Sequence, residues 1–125
     1  MTDVWLLPAI GRWEKSCGKH PTQKPLGLLA RLIQASTEPG AWILDPFSGS
    51  ATTGIAANLI GRRYLGLEME EEFLEMGKAR RNEIEDITIR NRYIERLIKS
   101  QHVLPPENSS FVSDETMYNY EIPWL

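Results

Sequence analysis

Cysteine occurs once in these 125 residues, at Cys17. A single thiol cannot close an internal disulfide, so a stapled secreted scaffold is excluded and a reducing cytoplasm is the expected setting. Long apolar runs are also missing. None approaches the ~18 residues needed to span a bilayer, and residues 1–10 lack the basic start of a signal peptide. No membrane is therefore expected among the partners. No Gly-Lys-Ser/Thr follows the glycine turn at 49–54, which excludes a nucleoside-triphosphate loop. Bases are absent from residues 101–125, which carry four acids, whereas residues 1–67 carry seven Lys/Arg against four acids. Five of those bases (Arg12, Lys15, Lys19, Lys24, Arg31) fall within twenty positions. Such a basic front could meet a polyanion, and five charges fit a merely solvated face equally well.

What is present is the composition of an ordinary globular domain, 42% apolar and 25% charged. A chain of this length forms one domain at most and buries roughly 65% of its unfolded surface. Thr2 to Leu7 reads as a short strand closed by Pro8. Pro25 suits the first turn of a helix, and Leu26, Leu29, Ala30 and Ile33 give residues 25–35 a buried stripe at helical spacing. After the turn "STEPG", Ala41 to Asp45 is short and apolar, which is the mark of a buried parallel strand. A second helix is expected over about 52–60, stopped by Gly61, with Ala56 and Ala57 allowing close approach to a sheet. "RRYLGLE" is the next strand and ends at Glu68. From Glu70 a charged helix begins, with acids first and Lys78, Arg80 and Arg81 later, as the helix dipole favours. Phe73, Met76 or Gly77, and Ile84 give it a thin apolar face, and residues 87–99 either continue it or form another helix. Residues 1–100 thus make up the folded unit, and 101–125 read as an acidic, irregular tail. The order is that of one β-α-β unit of a parallel sheet with a helix ahead of it, an α/β fold.

The stretch "ILDPFSGSATTGIAA" (43–57) places a tight turn of glycine and hydroxyl residues after the first of these strands. Such a turn brings backbone N–H groups and a helix N-terminus up to a ligand. An acid ending the next strand can accept hydrogen bonds from ribose hydroxyls, and Glu68 lies 19 residues past Gly49, close to the ~20 expected. An adenosine-type ligand follows, and two cofactors compete. Gly49 to Gly54 is one substitution from the G-x-G-x-x-G of dinucleotide binders, but Ala51 stands where the second glycine keeps the backbone bare for a pyrophosphate. S-adenosylmethionine has no phosphate and tolerates a methyl group there. Upstream, "KHPTQKP" sets His20, Thr22 and Lys24 just before a helix, all able to meet a carboxylate, with Lys24 the natural counter-charge to an amino acid's α-carboxylate. NAD offers no reason for that cluster.

The chain here resembles the β-class DNA amino-methyltransferases, which methylate N6 of adenine or N4 of cytosine. Three stretches carry the resemblance over about residues 3–81: "HPTQKP" at 20–25, "DPFSGSATTG" at 45–54 and "RRYLGLE" at 62–68. It implies part of a Rossmann-like S-adenosylmethionine-dependent methyltransferase fold, an incomplete parallel sheet with flanking helices. It implies that His20, Thr22 and Lys24 lie near the methionine end of S-adenosylmethionine. Asp45, Phe47, Gly49, Ser50 and Thr52 would line its pocket, and Glu68 would hold the ribose hydroxyls. The one departure is Ala51, where glycine is usual.

The family's catalytic residues, Asp/Asn/Ser-Pro-Pro-Tyr/Phe/Trp, are absent from this sequence. "DPFS" at 45–48 has one proline and already serves as the cofactor turn, and "LPPE" at 104–107 lacks both the polar first residue and the aromatic last one. In the family that motif and the DNA-recognition region precede the His-Pro-Thr box, so the chain resembles the C-terminal part of such an enzyme. No catalytic or metal-binding residue is assigned to it. The expected function is cofactor binding within a site-specific DNA methyltransferase, adenine being favoured over cytosine as target. Its expected partners are double-stranded DNA through the complete enzyme and either a missing N-terminal half or a second copy. The alternative is a non-catalytic module that associates with a methyltransferase subunit.

Overall fold

The computed structural model of this protein describes residues 12–15, 17–18 and 23–100. Along the chain these form a short 3-10 helix (Arg12–Lys15), α1 (Leu26–Ser36), β1 (Trp42–Asp45), α2 (Thr52–Leu59), β2 (Arg63–Gly66), α3 (Glu71–Glu83) and α4 (Ile87–Lys99). The strand expected at 2–7 and the tail from Gln101 lie outside the described residues.

β1 and β2 pair in parallel, with Trp42 opposite Arg63 and Asp45 opposite Gly66. α2 makes the crossover between them, as a parallel pair requires. In α1 the residues that repeat at helical spacing, Leu26, Ala30 and Ile33, are buried against α2, where Ile55, Ala56 and Ala57 are buried in turn. The cap of α1, Pro25, has no side chain to offer the first amides. Glu14 from the 3-10 helix does so instead, its Oε2 accepting from Leu26 N at 2.7 Å. At the other end of the layer, Gly61 takes φ 75° and turns the chain from α2 into β2. The buried Arg62 guanidinium then ties this turn to the end of α1, donating to Thr37 O at 2.6 Å and Ile60 O at 2.7 Å. Burial lowers the Arg62 pKa, and the nearby Glu38 charge opposes the shift.

Residues 87–99 are a helix of their own. Asp86 caps it, accepting from Thr88 N at 2.8 Å and Ile89 N at 3.2 Å. Tyr93 and Leu97 of α4 are buried, and the Tyr93 ring meets Trp13 edge-on at 5.1 Å. α4 thereby holds the 3-10 helix onto the domain.

β1 departs from the sequence expectation in one respect. Its residues alternate, with Ile43 packed on the core while Trp42 and Leu44 are 60% and 64% exposed. Leu65 and Leu67 of the neighbouring segment are exposed too. A parallel strand is apolar throughout when both its faces are covered. Among the described residues only one face of this sheet is covered by helices, so the other apolar face lies open.

Candidate cofactor site

The site grows from the point where β1 ends. Asp45 Oδ1 accepts from Phe47 N at 3.1 Å, the local bond by which an aspartate starts a turn. Pairing with the β2 side continues past the strands: Leu67 N donates to Asp45 O at 2.9 Å and Ser48 N to Leu67 O at 2.9 Å. Gly49 N then donates to Glu68 Oε2 at 2.7 Å, while Glu68 Oε1 accepts from Glu70 N at 2.9 Å. The acid at the end of the second strand therefore holds the turn at the end of the first. Phe47 projects from it, 89% exposed.

Two residues of the turn have left-handed backbone, Gly49 at φ 53° and Ala51 at φ 60°. For glycine that conformation is free, whereas for alanine it costs roughly 1–2 kcal/mol. Ala51 is the N-cap of α2 and supplies no side-chain bond to the helix. The amides of the first turn of α2 thus have no partner from their own helix, and they give its N-terminus a partial positive charge. The Ala51 methyl rests on α3 at Gly77, where an added Cβ would come within 3.0 Å of it.

Ser50 and Thr52 flank Ala51 and both are buried. Their side chains turn inward rather than along the turn's outer rim. Arg80 of α3 donates through Nη1 to Ser50 O at 2.7 Å, to Ser50 Oγ at 3.1 Å and to Thr52 Oγ1 at 2.9 Å. Arg80 is only 6% exposed. Burial lowers its pKa, opposed by Tyr93, Glu14, Cys17 and Glu83 in that order.

A cleft of about 330 Å³ opens beside the turn, lined by Ser48, Gly49, Tyr64, Gly66, Phe73 and Arg81 among others. Its size falls at the lower end of small-ligand pockets. The Tyr64 ring fits between Gly54 of α2 and Gly66 of β2, and a methyl group built on either glycine would collide with it. Burial drives the Tyr64 hydroxyl pKa up to about 12, with Ser48 acting against the shift and the Asp45 and Glu68 charges adding to it. Among the described residues no cluster of His, Cys, Asp or Glu could hold a metal ion.

Of the residues singled out in the sequence, Asp45, Phe47, Gly49, Ser50 and Thr52 lie along this one turn, and Glu68 is bonded to it from the end of the second strand. Lys24 is exposed immediately ahead of α1. His20 and Thr22 lie outside the described residues. A carboxylate has about four acceptor positions, so Glu68 can receive hydroxyls while keeping its bonds to Gly49 and Glu70. The donors and acceptors at this turn suit a nucleoside bearing ribose hydroxyls. Arg80 reads in the sequence as a base answering the helix dipole, whereas in the fold it is buried against Ser50 and Thr52. Its spacing held the signal, because position 80 falls on the apolar stripe running from Phe73 through Met76 and Gly77 to Ile84.

Residues 1–79 match the family described as DNA methylase, of the N6/N4 type. Over 97 residues the chain is 56% identical to the type II methyltransferase M2.MboI of Moraxella bovis, covering 78% of this chain and 35% of that protein. It is 51% identical over 80 residues to the type II methyltransferase M2.DpnII of Streptococcus pneumoniae, which is 64% of this chain and 30% of that one. Among solved structures, the M1.HpyAVI–SAM complex is 45% identical, with a TM-score of 0.50, over 51% of this chain and 31% of that chain. The chain spans about a third of the length of the curated relatives it matches. By that match over residues 1–79, the chain belongs to the N6/N4 DNA methylase family.

Proposed function

We propose that this chain is the S-adenosylmethionine-binding, C-terminal part of a site-specific DNA methyltransferase that acts on an exocyclic amino group, N6 of adenine in preference to N4 of cytosine. The observation that carries the reading is the clasp between Glu68 and Gly49 N at 2.7 Å beside the N-terminus of α2. A carboxylate able to accept hydroxyls beside a helix N-terminus supports a ligand of the nucleoside kind. The likeness to M1.HpyAVI, solved with SAM, supports the choice of ligand. S-adenosylmethionine, when bound, supplies an electrophilic methyl group on its sulfonium. Glu68 would hold the ribose, Asp45 and Phe47 would border the pocket, and Lys24 with His20 and Thr22 would meet the methionine carboxylate. Metal ions have no part in this reading.

Methylation itself needs groups that these 125 residues do not supply, since the Pro-Pro motif is absent. The open sheet face at Trp42, Leu44, Leu65 and Leu67 supports a further layer that carries them, because exposed apolar patches of this kind mark association surfaces. Double-stranded DNA would then be met by the assembled enzyme. The competing reading is a non-catalytic module seated on a methyltransferase subunit through the same face.

Calorimetric titration tests the proposal. S-adenosylmethionine and S-adenosylhomocysteine should bind and NAD should not, and methyl transfer to DNA should require an added N-terminal half of a related enzyme. Binding of NAD without either S-adenosyl compound would overturn the cofactor reading. Cofactor binding with no activity in the reconstituted mixture would leave the non-catalytic module.

A further inference from the structure

We infer that Arg80 is a positioning residue for the cofactor turn, holding the left-handed Ala51 in place from behind by gripping the residues on either side of it. The inference rests on the proposed cofactor reading and adds a determinant of affinity that touches no ligand.

Three observations carry it. First, Arg80 sits where packing alone would favour an apolar side chain, since its helical neighbours Met76, Gly77 and Ile84 are buried. A buried guanidinium is retained at a high desolvation cost, which must be offset by bonds of good geometry. Second, among the described residues the hydrogen bonds of the Arg80 side chain go to one place. A single nitrogen, Nη1, reaches Ser50 O, Ser50 Oγ and Thr52 Oγ1 at 2.7–3.1 Å. Third, those acceptors bracket the one non-glycine residue among the described residues that has positive φ, Ala51. One helical turn earlier on the same face of α3, Gly77 admits the Ala51 methyl at 3.0 Å from its own would-be Cβ. α3 thus grips the turn at two adjacent positions, by contact at Gly77 and by hydrogen bonds at Arg80.

The physical consequence is preorganisation. The Ser50 carbonyl and the two hydroxyls are fixed inward, so the backbone of the turn, together with Gly49 N on Glu68, is set before a ligand arrives. Without the clamp, Ala51 can relax out of the left-handed region. A ligand would then have to restore it, which lowers affinity.

The test compares wild type with Arg80→Met, Arg80→Lys and Thr52→Val. Each is measured for S-adenosylhomocysteine affinity by calorimetry, and for amide hydrogen exchange at the bonded turn amides of Gly49 and Ala51 against the strand amides of Arg63 and Leu65. Arg80→Met should raise the dissociation constant about tenfold or more, as expected for losing hydrogen bonds from a charged donor. It should speed exchange at Gly49 and Ala51 and leave Arg63 and Leu65 protected. Thr52→Val should shift both readouts in the same direction by less. Arg80→Lys, which keeps the charge but reaches fewer acceptors, should recover part of the loss. Unchanged affinity and unchanged local exchange in folded Arg80→Met would overturn the inference. A loss of protection spread evenly over turn and strands would overturn it too, because Arg80 would then serve only global stability. If Arg80→Met does not fold, Arg80→Lys and Thr52→Val decide by the same readouts. Failure of wild type to bind S-adenosylhomocysteine would sink the cofactor reading alone, and exchange at Gly49 and Ala51 would still show whether Arg80 holds the turn.

Discussion

Replacing Gly54 by alanine sets two effects of opposite sign against each other. Gly54 lies in the first turn of α2, and in a helix alanine is favoured over glycine by up to about 1 kcal/mol. Helix propensity alone therefore predicts a more stable protein. The tertiary structure predicts the reverse. A methyl group on Gly54 would fall inside the Tyr64 ring, and the ring cannot retreat, because the Tyr64 hydroxyl end is already pressed on Gly66. Overpacking of this kind costs about 1–3 kcal/mol, and direct overlap with a trapped ring belongs at the top of that range. Subtracting the propensity gain leaves a loss of about 2 kcal/mol, or roughly 10 °C in Tm for a domain of this size. Urea unfolding followed by tryptophan fluorescence measures it. Adding Tyr64→Leu to Gly54→Ala should recover much of the loss by removing the obstacle. Gly54→Ala at or above wild-type stability would refute the packing argument, and a double variant no better than the single would show that the ring is not the obstacle.

Glu68→Ala should weaken S-adenosylmethionine binding by about 1–3 kcal/mol in calorimetry, the usual range for losing a charged hydrogen-bond partner. An unaltered affinity would move the ribose elsewhere. Lys24→Ala should weaken S-adenosylmethionine much more than adenosine, which lacks the carboxylate, and equal losses would place Lys24 away from the methionine end. The Tyr64 hydroxyl gives a pH dependence with a definite sign. Its pKa rises from 10.0 unfolded to about 12 folded, so the folded state keeps its proton longer. The associated stability is complete below pH 10 and is lost as pH climbs from about 10 to 12. At a half-buried ring with solvent screening, that loss is at most about 2 kcal/mol. Tyr64→Phe should flatten this part of the stability–pH curve, and an identical slope in the variant would assign it to other groups. The open face at Trp42 and Leu44 should make the isolated chain self-associate, with a weight-average mass that rises with concentration in light scattering. A concentration-independent monomer would mean that other residues of the chain cover that face.

Much of this protein is written in local sequence. Apolar spacing marks α1, short apolar runs mark β1 and β2, and Gly61 marks the end of α2, because each depends on neighbours a few residues apart. The order of these elements fixes a parallel pair with a crossover helix, since a parallel pair allows little else. The 19-residue interval from Gly49 to Glu68 likewise foretells a turn and an acid brought together, and they meet at 2.7 Å. Sequence alone could not decide whether residues 87–99 extend α3, because Asp86 becomes a cap only once the chain has bent. Nor could it show that the Ser50 and Thr52 hydroxyls face inward. Their partner is Arg80, 30 and 28 positions away, and a charged side chain in a helix reads locally as solvated. The same holds for Gly54, whose need for a bare Cα is set by a ring on the next strand. Contacts along an element repeat with its period and leave a trace in sequence. Contacts between elements depend on how those elements dock, and only the folded structure states them.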